Sequence, residues 1–256
     1  MTSRTIFSVL LITVIYLLVF SVQPSQSEVE GIVGKWLFDE NKGDTAKDPI
    51  NKLDGTLKGA PKWVKGKIGG ALEFNKGNWV EVADRALLDI TDELTAMAWV
   101  NPAEEKQNEF AKILAKRKDP HYPYQIAYQT GGGATFVAGI SVNGANVHSE
   151  PSIPGFTGWR HLAMVFDGKK LKLYMDAKEV ASADAKGKID TNNQPFYIGG
   201  RGDSPTQRFA GVVDEVRLFN RALALAEIKS LMEKGDAAAV LPADKLPVVW
   251  GKLKRL

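Results

Sequence analysis

Residues 209–223 indicate the fold most clearly, and they read Phe-Ala-Gly-Val-Val-Asp-Glu-Val-Arg-Leu-Phe-Asn-Arg-Ala-Leu. Within them, residues 211–219 carry the β-branched and aromatic side chains that favour a strand. A helical pattern follows at once over residues 224–234, because apolar residues recur there at helical spacing and Gly235 stands just past the end. The stretch therefore predicts the last strand of a β-sandwich, closed by one short C-terminal helix.

Upstream, short apolar segments are separated by Gly, Pro, Asn and Asp turn signals. Many short strands of this kind are typical of an all-β, two-sheet antiparallel sandwich or a barrel. The pattern does not alternate strands with long helices, which argues against a doubly wound α/β fold. The strands predicted outside hairpins are residues 31–38, 71–74, 79–82, 94–100, 112–116, 124–128 and 196–199.

Two β-hairpins are predicted from turn chemistry alone. Asn143-Gly144 separates residues 134–142 from 145–149, and Asp167-Gly168 separates residues 159–166 from 170–175. Asn-Gly and Asp-Gly accept the positive φ angles of a type I′ turn, whose twist matches that of paired strands.

The composition is that of an ordinary globular protein, with 44% hydrophobic and 25% charged residues in a chain of 256. The chain has no cysteine, which excludes disulfides, thiolate nucleophiles, zinc–thiolate sites and iron–sulfur clusters.

The N-terminal residues have the layout of a secretory signal peptide. Arg4 precedes the apolar run 6–20, and Ser25 and Ser27 are small residues before an expected cleavage. The alternative is an uncleaved membrane anchor, although the run is shorter than the roughly 20 residues that span a bilayer. We therefore expect a signal peptide at residues 1–27, one domain at 28–235, a linker and short tail at 236–256, and a secreted or extracytoplasmic location.

The charge balance argues against a nucleic-acid partner. Removal of residues 1–27 takes away Arg4 alone, so 33 basic residues become 32 against 30 acidic ones, a net charge of +2. Contact with a membrane is expected only through an uncleaved signal segment.

In this order, several segments resemble the laminin-G-like, concanavalin A-like jelly-roll family. The resemblance runs from about Gly31 to Gly235 and implies a jelly-roll sandwich that binds ligands outside the cell. The loop at residues 48–53 departs from the family's pattern, because it lacks the usual glycines. The segments that carry the resemblance are residues 33–40, 54–57, 69–74, 79–82, 94–100, 159–175, 198–200 and 211–223.

The resemblance implies a Ca²⁺ site at Asp39, Asp54 and Asp214. Calcium takes six to eight hard oxygens, which carboxylates and loop carbonyls supply. The alternative is structural: Asp39 and Asp54 cap turns, and Asp214 pairs with Arg217 or another base.

The resemblance also implies a carbohydrate surface. Its candidates are His121, Tyr122 and Tyr124 on a proline-bracketed loop, together with Phe156 between two glycines. An aromatic face lies well against the apolar face of a sugar ring, but packing in the core is an equal alternative for these residues. The aromatics expected between the sheets are Trp36, Phe38, Phe74, Trp99 and Trp159.

A further motif is Arg201-Gly202-Asp203, which spells an integrin-binding tripeptide in a predicted exposed loop. Three-residue motifs recur by chance, so the motif supports only an alternative function as a protein–protein adhesion module.

The sequence predicts no catalytic site. Glycosidases place two carboxylates across a cleft, but Glu81 and Asp84 do not alternate along a strand, and Asp214 and Glu215 point to opposite faces. The sequence therefore predicts a non-catalytic module for a glycan or another extracellular polymer, with Ca²⁺ as a candidate cofactor. A surface-protein partner and a glycan-active enzyme are the alternatives.

Overall fold

The computed structural model describes residues 29–105, 107, 110–129, 135–149, 151 and 153–235. The predicted signal peptide and tail lie outside the described residues. In chain order the strands are β1 (Ile32–Trp36), β2 (Thr45–Ala46), β3 (Gly55–Lys58), β4 (Lys62–Lys65), β5 (Gly70–Asn75), β6 (Trp79–Val82), β7 (Leu94–Pro102), β8 (Lys112–Lys118), β9 (His121–Gln129), β10 (Thr135–Val142), β11 (Ala145–His148), β12 (Ile153–Pro154), β13 (Arg160–Phe166), β14 (Lys170–Met175), β15 (Lys178–Asp184), β16 (Phe196–Ile198) and β17 (Ala210–Phe219), followed by the helix α1 (Leu225–Lys234). A short 3₁₀ turn covers Ala86–Leu88.

The strands form two antiparallel sheets. The first sheet has the order β15-β14-β13-β7-β17-β5-β4, and β1 also pairs with β17. The second has the order β11-β10-β9-β8-β16-β6-β3-β2, and β12 pairs with β10. This architecture confirms the predicted two-sheet β-sandwich with one short C-terminal helix.

Alternation along the strands places the main core between the sheets. On β7, Leu94, Ala96, Ala98 and Val100 join this core, so Met97 and Trp99 point to the outer face of the first sheet. The core contains Trp36, Phe38 and Phe74, as predicted. Trp99 and Trp159 were expected there too, and both expectations are wrong: alternation directs Trp99 outward, and Trp159 is half-buried.

The helix α1 covers part of the outer face of the first sheet. Its Ile228 and Leu231 are buried in a second apolar cluster with Met97, Val165 and Phe219. No helix among residues 29–235, within the described ranges, is long and apolar enough to cross a membrane. The outer face of the second sheet has no helix over it among the described residues.

The two predicted hairpins form, with one correction to their turns. Asn143 and Gly144 both have positive φ, 51° and 80°, and Val142 pairs with Ala145, as a type I′ turn requires. At the other hairpin only Gly168 has positive φ, and Phe166 pairs with Leu171 across a four-residue turn. The type I′ prediction is wrong there, because the Asp167 carboxylate accepts the amides of residues 169 and 170 and shapes a longer loop.

Candidate functional site

The outer face of the second sheet carries a pocket of about 180 Å³. Strand alternation turns Gln125 and Ala127 of β9 and Val137 of β10 toward it, while their neighbours enter the core. We call this site the Lys112 pocket. Its walls are formed by Phe110, Lys112, Arg117, Pro120, Tyr122, Gln125, Ala127, Tyr128, Val137, Asn146 and His148.

Lys112 provides the most unusual group of the pocket. Its side chain is buried, and its Nζ has no hydrogen-bond partner among the described residues. Burial lowers the pKa of Lys112 to about 6, helped by the positive charges of Arg117 and Arg201 and opposed by Asp119. A buried amine without an acceptor is costly to charge, so burial favours the neutral form of Lys112.

Phe110 is the exposed aromatic of this site. Its side chain is 40% exposed, and its ring centre lies 5.5 Å from Nζ of Lys112. The backbone of Phe110 has φ 56°, an uncommon conformation for a bulky residue. The ring is therefore presented at the pocket rather than withdrawn into the core.

Polar contacts hold the opposite wall of the pocket rigid. The Tyr122 hydroxyl lies 2.5 Å from Nε2 of His148, and the Arg117 guanidinium carbon lies 4.7 Å from the Tyr122 ring centre. Arg117 also donates to Gln125 at 3.3 Å and forms an ion pair with Asp119. Burial raises the pKa of Tyr122 to about 12, so its hydroxyl stays protonated at neutral pH.

Asp119 links this wall to Arg201. Arg201 donates to both carboxylate oxygens of Asp203, at 2.9 and 2.6 Å, to Asp119 at 3.1 Å and to Gln207 at 3.1 Å. Although burial opposes it, the hydrogen bond from Arg117 and the nearby arginine charges hold the pKa of Asp119 below its usual value. The exposed loop predicted for Arg201-Gly202-Asp203 is wrong at its first residue, because the Arg201 side chain is only 2% exposed and is already engaged by Asp203.

The predicted sugar-contacting aromatics do not form an exposed platform. Tyr124 is buried in the inter-sheet core and donates its hydroxyl to the Leu88 carbonyl at 3.0 Å, while Phe156 stacks on Phe136 at 4.6 Å. Tyr122 lines the pocket but is covered by its neighbours, and His121 is exposed at the start of β9. The stacking role is therefore wrong for Tyr122 and Tyr124, because both side chains are buried. Phe156 is half-buried with one face on Phe136, so its contact with a sugar stays a prediction.

The predicted calcium ligands separate into two groups. Asp39 accepts the Gly70 amide at 2.7 Å, and Asp214 accepts the Ile68 amide at 3.0 Å, so both face the turn between β4 and β5. Asp54 instead accepts the Asp48 amide at 2.9 Å and pairs with Lys47 at 2.8 Å. The three-aspartate grouping is thus not formed, and no cluster of three acidic or histidine side chains suited to a metal occurs among the described residues.

The turn at residues 66–70 is shaped around the two remaining carboxylates. A Cβ on Gly69 would stand 2.1 Å from Oδ1 of Asp39, and one on Gly66 would stand 2.6 Å from Oδ2 of Asp214. The Oδ1 atom of Asp214 is buried without a hydrogen-bond partner in the described part of the chain. Burial raises the pKa of Asp214 to about 7, against the lowering effect of the Ile68 amide.

Comparison with known proteins places this fold in a family. A family model described as the concanavalin A-like lectin/glucanases superfamily matches residues 74–229, more than half of the chain. The chain belongs to this superfamily. No curated protein sequence is significantly similar to the chain.

Solved structures share the concanavalin A-like sandwich at low sequence identity. The binding domain of Paraclostridial Mosquitocidal Protein 1 has a TM-score of 0.63 at 17% identity, over 78% of this chain and 51% of that one. Domain 4 of AbnA, a GH43 extracellular arabinanase from Geobacillus stearothermophilus solved with arabinotriose, has a TM-score of 0.59 at 22% identity, over 78% and 97%. Trypanosoma rangeli sialidase with sialic acid has a TM-score of 0.60 at 18% identity, over 83% and 34%. The chain thus spans about half of the toxin domain and a third of the sialidase, and the likeness establishes the fold.

Proposed function

We propose that the protein is a non-catalytic module that binds a saccharide in the Lys112 pocket. The observation that carries the proposal is an exposed aromatic ring, Phe110, beside a pocket walled by hydrogen-bonding side chains on the uncovered face of the second sheet. An aromatic face removes the apolar face of a sugar from water, while Arg117, Gln125 and Asn146 offer partners for hydroxyl groups. The volume of 180 Å³ is the space of about six water molecules at roughly 30 Å³ each, enough for one sugar ring.

Binding without catalysis is supported by the residues that form the pocket. Hydrolysis of a glycosidic bond uses two carboxyl groups on either side of that bond. Among the residues that the structure describes, those that line the Lys112 pocket include neither Asp nor Glu. Asp119, which acts on the charge of Lys112, is paired with Arg117 and Arg201.

Structures with this fold support a saccharide as the class of ligand. Domain 4 of the arabinanase was solved in complex with arabinotriose, and it aligns over 97% of its own length. A binding domain of Botulinum Neurotoxin DC, at 10% identity, was solved in complex with SialylT. The same neurotoxin domain was also solved with rat synaptotagmin II, so a protein receptor is the alternative outcome of a binding test.

Substitution of Phe110 tests the proposed function. The full chain is screened on a glycan array, and the strongest glycan is then titrated against the parent, Phe110→Ala and Leu225→Ala. We expect Phe110→Ala to weaken binding at least tenfold, since burial of one aromatic face is worth more than about 1.4 kcal/mol. Leu225 is a matched control because it is also an exposed apolar residue, at 49% against 40% for Phe110, but lies on α1.

Two results would reject the proposed function. A folded parent that binds no glycan on the array would exclude a saccharide-binding module of the expected kind. Equal affinities of the parent and Phe110→Ala would exclude the Lys112 pocket as the binding site.

We also propose that Ca²⁺ binds at the 66–70 turn through Asp39 and Asp214, without Asp54. The donor chemistry fits, because the turn gathers two carboxylates, the Asn41 amide oxygen and backbone carbonyl oxygens close to Gly70 and Gly66. The unpartnered Oδ1 of Asp214 is the buried atom that a cation would satisfy. A bound ion would connect Asp214 of β17 to the turn between β4 and β5, at the edge of the first sheet.

A further inference from the structure

The cations around the Lys112 pocket differ in how they are neutralised. Arg117 is paired with Asp119, and Arg201 is paired with Asp203 and Asp119. Lys116, on the same strand as Lys112, is paired with Asp84 and Asp89. Lys112 is the buried cationic side chain of this group whose Nζ has no acceptor among the described residues.

This arrangement is costly in the absence of a ligand. A buried ammonium without a counter-charge loses its favourable hydration free energy. The cation–π contact with the Phe110 ring, at 5.5 Å, offsets only part of that cost. A methionine of similar length would fill the same space with no buried polar atom. The buried amine of this pocket-lining residue therefore points to a ligand group that carries one negative charge.

We propose that the Lys112 pocket selects acidic saccharides, with the sugar carboxylate bound by Nζ of Lys112. This inference rests on the proposed function and names the class of sugar. A carboxylate matches the pocket because it carries a single charge, as does the ammonium of Lys112, and because it accepts from charged donors at short distance. Arg117 lies at the same wall and is already neutralised by Asp119, so it adds a donor but little net charge.

If Lys112 binds the carboxylate, the affinity depends on pH and binding takes up a proton, which packing alone would not cause. With a pKa of about 6, the amine is mostly neutral at pH 7 when the pocket is empty. A bound carboxylate raises that pKa, so binding takes up a proton and the affinity increases as the pH falls from 8 toward 6. In the described part of the chain, the other charged or titratable groups that line the pocket or act on its residues are Glu104, Glu105, Arg117, Asp119, Tyr122, Tyr128, His148 and Arg201.

The test compares saccharides that differ only in the acidic group. The full chain is titrated calorimetrically at pH 6 and pH 8 with a glucuronate-ended oligosaccharide, its glucose-ended counterpart and a sulfated counterpart. We expect the glucuronate form to bind at least tenfold more tightly than the neutral form at pH 6. Proton uptake at pH 7, measured in two buffers of different ionisation enthalpy, should accompany binding of the glucuronate form.

Lys112→Met and Lys112→Arg separate charge from packing. Lys112→Met should remove the proton uptake and the preference for the acidic sugar, so that the glucuronate and glucose forms bind this variant with equal affinity. Lys112→Arg should retain the preference and lose the proton uptake, because its guanidinium stays charged. If neither variant folds, the comparison of sugars on the parent still decides.

The outcomes that overturn this inference are distinct from failure of the proposed function. Equal affinity for glucuronate and glucose forms, or a preference for the sulfated form, rejects carboxylate selection and leaves saccharide binding intact. Absence of proton uptake with the glucuronate form rejects Lys112 as the counter-ion. Failure of every sugar to bind rejects both.

Discussion

His161 is a buried basic residue on the outer face of the first sheet. Its ring lies edge-on to Trp99 at 5.4 Å, and its Nδ1 has no hydrogen-bond partner among the described residues. Burial lowers the pKa of His161 from 6.5 to about 3, and the charge of Arg217 adds to this effect. Between pH 6.5 and pH 3, His161 is therefore protonated in the unfolded chain but neutral in the folded chain. The free energy of unfolding falls as the pH is lowered through that window.

Substitution of His161 by Phe tests this assignment. Phenylalanine keeps an aromatic ring against Trp99 and does not titrate, so the variant should lose less unfolding free energy between pH 6.5 and pH 4, by roughly 3 kcal/mol. Urea titrations at several pH values measure the difference. His121→Phe, at an exposed histidine, is the control and should keep the parent's acid sensitivity. Parallel pH profiles for the parent and His161→Phe would contradict the assignment.

At the same scale, the sequence predicted the neighbourhood of the pocket but not its main residues. The proline-bracketed segment contributes Pro120 and Tyr122 to the wall of the pocket. Lys112 was missed because a lysine in a strand pattern is normally solvent-exposed, and its burial depends on neighbours from β9 and β10. Phe110 was missed as well, although an aromatic that follows the polar residues 104–109 could have signalled an exposed ring.

The helix α1 shows how one element is anchored to the sandwich. Glu227 accepts the Ala224 amide at 2.8 Å and pairs with Arg221, which fixes the first turn of the helix. Ile228 lies fully buried on the outer face of the first sheet. The apolar stripe, rather than intrinsic helix propensity, should hold this ten-residue helix in place.

Truncation of that stripe should be costly. We expect Ile228→Ala to lower the free energy of unfolding by roughly 2–5 kcal/mol, because it leaves a cavity at a fully buried position. Lys229→Ala, one residue further on and exposed, should change it by less than about 0.5 kcal/mol. Equilibrium denaturation of both variants measures the contrast. Equal, small effects would show that α1 is not docked as described.

The elements that the sequence missed are mostly those at sheet edges. Strands β2, β4 and β15 end their sheets, and the charged residues on β4 and β15 hide the strand pattern. Edge strands often carry such charges, which discourage pairing with other chains. The Asp176-Ala177 turn before β15 was missed too, because both residues adopt positive φ without a glycine. Central strands such as β7 and β13 were predicted because burial on both faces makes them continuously apolar.

On the scale of the whole molecule, the two proposed sites lie on different sheets of the sandwich. The Lys112 pocket is built on β8–β11, whereas the 66–70 turn joins β4 and β5 at the far edge of the first sheet. Asp39, Asp54 and Asp214 do not line the pocket. Calcium should therefore stabilise the fold without taking part in recognition of the sugar.

Separation of the two sites can be tested by measuring stability and affinity together. At a calcium concentration a hundredfold above Kd, binding to the folded state alone adds about 2.7 kcal/mol. In a domain of this size that amount raises Tm by roughly 5–10 °C relative to chelator. Asp214→Asn should abolish the increase, whereas Asp54→Asn should keep it, because Asp54 faces Lys47 rather than the 66–70 turn. Saccharide affinity should stay within about twofold across all these conditions, as expected for sites that share no partners. An unchanged Tm would reject the calcium site. A loss of saccharide affinity in chelator would show that the calcium site and the Lys112 pocket are coupled.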